Sequence, residues 1–288
     1  MLFKPLSLPS TLYRGDRFFY LAYDLPYLFA FVAVTGVMRL EGWSGLIRTW
    51  QPWMWWLLPP LVYLHVLASV FIHNATHRSF PRAINRVVGE LLGVLLVVRF
   101  ANWEILHVRH HRYPDDPARD PHPMQPSFWR FVLEMMLVNL ERQLQFIHYD
   151  QFGDTPKTRR YERFRSLLSF STEAACVLCW YTLLGPITFW YLFVPVQVLG
   201  WLVVSHFNWR THDSGSVTRD YRPINLDHGV YWLGNRVLFG LYMHHNHHQR
   251  ASLFNPLRYD ALVARMQTRR GLDLVAQNDA PDELDDVA

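Results

Sequence analysis

The chain has 288 residues, with 28 Lys and Arg against 24 Asp and Glu, 15 histidines, 12 tryptophans and two cysteines. Two cysteines exclude a disulfide scaffold and a Cys-rich zinc or iron–sulfur protein, and the modest formal charge of +4 gives no sign of a nucleic-acid partner. The mean hydropathy of −0.02 matches that of a soluble protein only because long apolar runs and long polar runs cancel.

Residues before Phe18 carry Lys4, Arg14 and Arg17 without a cleavable signal pattern, so the apolar run that follows is expected to be retained. That run extends from Phe18 to Met38 with one charge, Asp24. A second runs from Trp53 to Ile72 with none, a third from Leu167 to Gly185 with Glu173 alone, and a fourth from Ile187 to Ser205 with none. Crossing a bilayer takes about 20 mostly apolar residues, and two charge-free runs of this length argue against buried helices of a soluble protein. The eight residues from Leu91 to Val98, between Glu90 and Arg99, are too short to span and read as an interfacial or re-entrant helix. From Phe128 to Ile147, apolar Phe131, Val132, Leu133, Met136 and Leu137 mix with Arg130, Glu134, Glu141 and Arg142, as in an amphipathic helix on a membrane surface. The last thirteen residues, Ala276 to Ala288, hold five acids and no base and read as a disordered tail. The body without them carries a net +9, which suits contact with anionic lipid.

Of the 28 Lys and Arg, 26 lie before the first run, between the second and third, or after the fourth. By the positive-inside rule both termini and the long central segment face the cytoplasm. The expectation is therefore an all-α integral membrane protein, with four transmembrane helices as two hairpins and a cytoplasmic helical cap. The domain occupies residues 1–275, with spans near 18–38, 53–72, 167–185 and 187–205 and cytoplasmic segments 73–166 and 206–275. Trp50, Trp53, Trp55 and Trp56 fall at the outer end of the second span, where an aromatic belt belongs.

This topology requires the segments leaving spans two and four to emerge on one side, and histidines begin there, at His73 and His206. The clusters read His73-Asn-Ala-Thr-His77, His107-Val-Arg-His110-His111 and His244-His245-Asn-His247-His248. On a helix, spacings of three and four place imidazoles on one face. Converging neutral imidazoles suit transition metals, and their number exceeds the four ligands of a tetrahedral zinc, so they suit two ions.

HNATH, HVRHH and HHNHH resemble the three histidine boxes, HxxxH, HxxHH and HxxHH, of the membrane fatty acid desaturase and hydroxylase superfamily. The likeness extends from about Phe71 to Pro256 and includes the text HRYPDDPARDP at residues 111 to 121. The resemblance makes His73, His77, His107, His110, His111, His244, His247 and His248 metal ligands. It implies a non-haem centre of two Fe ions, O2 as co-substrate, and electrons from an external donor of ferredoxin, rubredoxin or cytochrome b5 type. An Asn-xxx-His element after the last span of the acyl-CoA desaturase branch is similar to Asn208-Trp-Arg-Thr-His212. It implies His212 as a ninth ligand and Asn208 as a water-mediated partner; His228 competes for the ninth position. His206 and His245 read as outer donors or neighbours, and His65, His122 and His148 as structural.

Glu104-Ile-Leu-His107 is a lone Glu-x-x-His, so a carboxylate-bridged di-iron site lacks its partners, although Glu104 remains a candidate to orient an imidazole. Cys176-Val-Leu-Cys179 lies within span three and reads as packing, and Asn74-Ala-Thr76 is a glycosylation pattern inside a histidine box. Removing hydrogens from unactivated adjacent carbons is beyond acid–base chemistry and requires activated oxygen. The resulting carbon radical can lose its neighbouring hydrogen, giving an alkene, or gain a hydroxyl, giving an alcohol. The expected activity is a desaturase acting on a fatty acyl lipid. A hydroxylase of a fatty acyl, carotenoid or other lipid, a zinc-dependent membrane hydrolase and a metal transporter are the alternatives.

Overall fold

The computed structural model describes residues 19–212 and 222–278 and is helical throughout, with no β-strand among those residues. The basic residues expected before the first span, and residues 279–288 of the acidic tail, lie outside the described residues. Isolated bridges pair His212 with Pro223 and Asn225 with Met243.

Helix α1 spans Phe19–Leu40. A 3-10 turn at Pro52–Leu57 leads into α2, Leu58–Thr76, whose first turn holds Pro59 and Pro60. Proline is tolerated there because first-turn N–H groups have no intrahelical partner. Helix α3, Asn85–Leu96, ends at Val97, held at φ +55 with the Val98 N–H donating to the Gly93 carbonyl at 2.9 Å. A β-branched residue in the left-handed region is unusual. Here it turns the chain by 103° into α4, Phe100–Arg112, so the short apolar run at 91–98 folds back sharply.

The amphipathic segment from Phe128 is broken rather than continuous. A single turn at Phe128–Arg130 passes into a π-helical stretch, Phe131–Val138, before α5, Leu140–Phe152. Phe131 and Val132 are buried at the start of the widened stretch. Helix α6, Pro156–Thr188, is interrupted by Gly185 at φ 74, ψ 163. A π-turn at Phe189–Phe193 then joins α7, Val194–Arg210. Ring contacts of Trp180 with Phe193 and Tyr181 with Phe189 show that the chain turns back at this interruption. Helices α8, Gly229–Val237, α9, His244–Gln249, and α10, Tyr259–Asn278, complete the described chain.

Two stretches, Pro52–Thr76 and Pro156–Arg210, are long and apolar enough to cross a membrane, and α3 with α4 makes a third if the bent pair is taken as one. The Gly185 interruption lies within the second stretch. Leu64, Trp56, Leu167, Leu178 and Trp190 are exposed along these elements, as apolar side chains facing lipid would be.

Helix α2 is the centre of the packing. Its Ala68, Ile72 and Ala75 cluster with Leu96 and Phe100, while Val66 and Val70 pack on Leu238. Against α7 the approach is close enough that a Cβ on Gly200 would lie 2.0 Å from the His65 ring, so this histidine, buried and with a structural role, fixes the α2–α7 crossing. Beyond the bend, Ala101, Ile105 and Leu106 of α4 pack on Leu144 and Ile147 of α5. At the other end, the connector after α1 rests on α6 just before its Gly185 interruption. The Trp43 indole donates to the Leu183 carbonyl at 2.8 Å and the Leu46 N–H to the Leu184 carbonyl at 3.0 Å.

Gly185 lies in a region of backbone space that is almost exclusively glycine's, and a Cβ there would stand 2.7 Å from the Gly45 Cα. Gly185→Ala is expected to destabilise the protein by about 1–3 kcal/mol from backbone strain alone. Gly36→Ala, where an added Cβ meets nothing within 4 Å, is expected to be neutral or stabilising. Thermal unfolding in detergent checks this; equal midpoints for the two variants would contradict the close approach.

Candidate metal centre

Each histidine box lies on or at the end of a helix, and helical periodicity points its imidazoles one way. His73 occupies the last turn of α2, and His77 caps it. His107, His110 and His111 lie in the final turns of α4, and His244, His247 and His248 fill most of α9. His212 follows the end of α7 after Thr211, whose hydroxyl bonds the Phe207 carbonyl at 2.9 Å.

These helix ends meet, and the nine imidazoles divide into two groups. His73, His77, His107, His111 and His247 have ligand atoms within 4.8 Å of one another, and so do His110, His212, His244 and His248. Nε2 atoms face each other at 2.8 Å for His77 and His107 and at 3.0 Å for His247 and His111. In the second group the His244 Nε2 stands 2.9 Å from that of His212 and 3.1 Å from that of His248. Two nitrogens bound at right angles to one ion, each about 2.0–2.1 Å from it, stand about 3.0 Å apart.

The donor set fits a cation on chemical grounds. A neutral imidazole has one N–H and one lone pair, so mutual hydrogen bonds cannot satisfy a ring whose Nε2 meets two other Nε2 atoms. His244 is in that position, and its buried Nδ1 has no partner among the described residues. The buried Nε2 atoms of His73 and His110 are likewise unpartnered there. Burial, then the proximity of other imidazoles, holds His244 and His247 well below the ordinary histidine range and pushes His248 down to about 2. These three rings are therefore neutral, with lone pairs free for a metal ion, whereas at His110 burial is outweighed by Asp120 and Asp115, which raise it.

Two carboxylates stand behind the second group. Asp120 Oδ2 meets His110 Nδ1 at 2.9 Å, and Asp115 Oδ2 meets His212 Nδ1 at 2.7 Å. Each fixes the proton on Nδ1 and leaves Nε2 as the ligand atom. Burial opposes the charge on Asp120, but His110 and His122 outweigh it and hold the carboxyl well below its usual range. His122 packs its ring 4.5 Å from that of His110, and burial followed by His110 lowers it to about 4. Asp115 and Asp120 have no assigned role in the sequence reading, and His122 read there as structural. The signal for the two carboxylates is the acid spacing directly after the second box, Asp115-Asp116 and Asp120.

The other candidates fall elsewhere. His228 is exposed before α8 with its ring on Tyr231 and belongs to neither group. His245 is exposed, and His206 lies among Phe128 and Tyr231. Glu104 receives a hydrogen bond from Arg86 at 3.3 Å, while Asp115 and Asp120 meet ligand-group imidazoles directly. Asn208 donates to the Val204 carbonyl one turn back at 3.2 Å. The two cysteines are free and buried.

Beside the first group lies a cavity of about 290 Å³ whose walls include Val66, Val70, Leu106, Leu144, Val204 and Phe207. His73, His107, His122 and Asn208 reach its surface, so of the nine imidazoles only two, both from the five-histidine group, border it.

Comparison with known proteins agrees with this geometry. The chain is 31% identical over 160 residues to an sn-1 oleoyl-lipid 12-desaturase of Picosynechococcus sp., a match covering 47% of this chain and 46% of that protein. It is 29% identical over 222 residues to an sn-1 oleoyl-lipid 12-desaturase of Arthrospira platensis, covering 70% and 58%. To an omega-6 fatty acid desaturase, endoplasmic reticulum isozyme 1, of Glycine max it is 29% identical over 118 residues, covering 39% and 30%. The chain thus spans about half the length of the curated relatives it matches. No solved structure matches significantly. Residues 48–254, which contain all nine converging histidines, match the fatty acid desaturase family, and the chain belongs to that family.

Proposed function

We propose that this protein is an O2-dependent oxidoreductase that introduces a double bond into the fatty acyl chain of a lipid. The observation that carries the reading is the convergence of nine imidazoles, in groups of five and four, beside a largely apolar cavity. Each group is read as holding one iron ion: His73, His77, His107, His111 and His247 the first, and His110, His212, His244 and His248 the second. Asn208, on the cavity wall, is read as a water-mediated partner of the centre. When bound, the iron pair supplies the activation of dioxygen needed to remove two hydrogens from adjacent unactivated carbons.

The rest is the work of the chain. Val66, Val70, Leu106 and Leu144 exclude water and hold an extended alkyl segment beside His73 and His107. The names of the relatives favour a lipid-linked acyl substrate, and reducing equivalents come from a separate carrier of ferredoxin, rubredoxin or cytochrome b5 type.

We read the membrane arrangement as four spans in two hairpins within one domain, residues 1–275, with both termini and the metal centre cytoplasmic. Three features support it. The connector after α1 packs on α6 just before its Gly185 interruption. The far ends of α2 and α7 deliver His73, His77 and His212 to one place. The basic residues gather on the histidine side of the apolar runs.

Lipid profiling by mass spectrometry of cells expressing the protein tests the activity. The expected product is an acyl chain lighter by two hydrogens, dependent on oxygen and a reductant. A chain heavier by one oxygen would identify a hydroxylase, and oxygen-independent turnover with bound zinc would contradict the reading. Metal analysis of the purified protein tests the site. Two irons per chain are expected, and His111→Ala and His212→Ala are each expected to weaken iron binding roughly tenfold or more, with His228→Ala unchanged. Iron loss in His228→Ala with retention in His212→Ala would reverse the assignment of the ninth ligand.

A further inference from the structure

The two groups of histidines differ in what stands behind them. In the four-histidine group, His110 and His212 each present Nδ1 to a buried carboxylate, at 2.9 Å from Asp120 and 2.7 Å from Asp115. In the five-histidine group, no carboxylate lies within hydrogen-bond or ion-pair distance of an imidazole among the described residues. The cavity borders only the latter group, through His73 and His107.

The loop that supplies the carboxylates is built for the purpose. Asp115 has φ +61, a left-handed conformation that Asp and Asn adopt more readily than other side chains. Its N–H donates to Asp120 Oδ2 at 2.6 Å, and the His122 N–H donates to Asp120 Oδ1 at 2.9 Å. Asp120 is 1% exposed, and Asp115 joins residues 97 positions apart by its contact with His212. Non-glycine residues held at positive φ are strained, and such strain persists only where surrounding contacts determine it.

We infer that Asp115 and Asp120 are positioning residues that make the two metal positions inequivalent, strengthening the four-histidine position away from the cavity and leaving the five-histidine position, at the cavity, without anionic support. A carboxylate bonded to the distal nitrogen fixes the imidazole tautomer and raises its basicity as a ligand. The two carboxylates would also offset the charge of a divalent ion in the second group, whereas among the described residues no carboxylate is placed to do so in the first. This rests on the two-ion reading of the site.

Asp115→Asn is the discriminating variant. It keeps the size of the side chain, tolerates the left-handed backbone and can still accept the His212 N–H, while removing the charge. Full-length protein in detergent is loaded anaerobically with iron-57, and metal affinity and Mössbauer spectra are recorded. Wild type is expected to hold two ions giving two distinct quadrupole doublets. Asp115→Asn is expected to bind one ion roughly 10–100-fold more weakly and to shift or lose one doublet, with the other unchanged. Asp116→Asn, whose carboxylate accepts from the Ala118 and Arg119 backbone and pairs with the Arg119 guanidinium at 4.0 Å, is expected to match wild type. Two identical doublets in wild type would overturn the inference without any variant. Two ions with both doublets unmoved in Asp115→Asn would overturn it and leave the two-ion reading standing. A single ion in wild type would overturn both.

Discussion

Everything in this molecule answers to the desolvation of nine imidazoles. Removing a neutral histidine from water leaves a donor and an acceptor to satisfy, and where several Nε2 atoms converge on one another the ring nitrogens that meet cannot all be satisfied by mutual hydrogen bonds. Groups arranged so that several Nε2 atoms converge at about hydrogen-bond distance are stable as a set when a cation occupies the middle. The protein reaches that arrangement from four places in the chain: the ends of α2, α4 and α7, and the short helix α9. Rigid helices make it achievable, because a helix end carries two ligands one turn apart with no further choice of direction.

The apolar part of the structure serves the same end. Gly200 lets α7 press against His65, and the Gly45–Gly185 contact closes the opposite end. Between them the α2–α7 pair is held at a fixed crossing, so His73, His77 and His212 arrive together. The 103° bend at Val97 brings α4 back across α2, and the same bend places Val98 and Arg99 on the wall of the cavity. The cavity and the metal centre thus share walls, through His73 and His107.

Much of this was legible in the sequence. The spacings of His73 and His77, and of His107, His110 and His111, are helical spacings, and the matched family includes them all. The choice between His212 and His228 was open because each follows an apolar or helical segment at a plausible distance. The structure brings His212 into the four-histidine group and leaves His228 exposed. Asp115 and Asp120 were not legible as functional, because their role depends on a left-handed turn and on contacts 10 and 97 positions away. Glu104 read as a candidate to orient an imidazole from its Glu-x-x-His spacing, and that spacing gives no sign of its contact with Arg86 on the neighbouring helix. The continuous helix expected from Phe128 fails for a similar reason: hydrophobic periodicity does not distinguish an α-helix from a π-helical stretch followed by a restart at Leu140.

X-ray absorption at the iron edge of the purified protein, reduced under argon, tests the central claim most directly. The account predicts first shells dominated by nitrogen at about 2.0–2.2 Å, strong imidazole multiple scattering and no sulfur. A first shell dominated by carboxylate oxygen, with weak imidazole scattering, would contradict it.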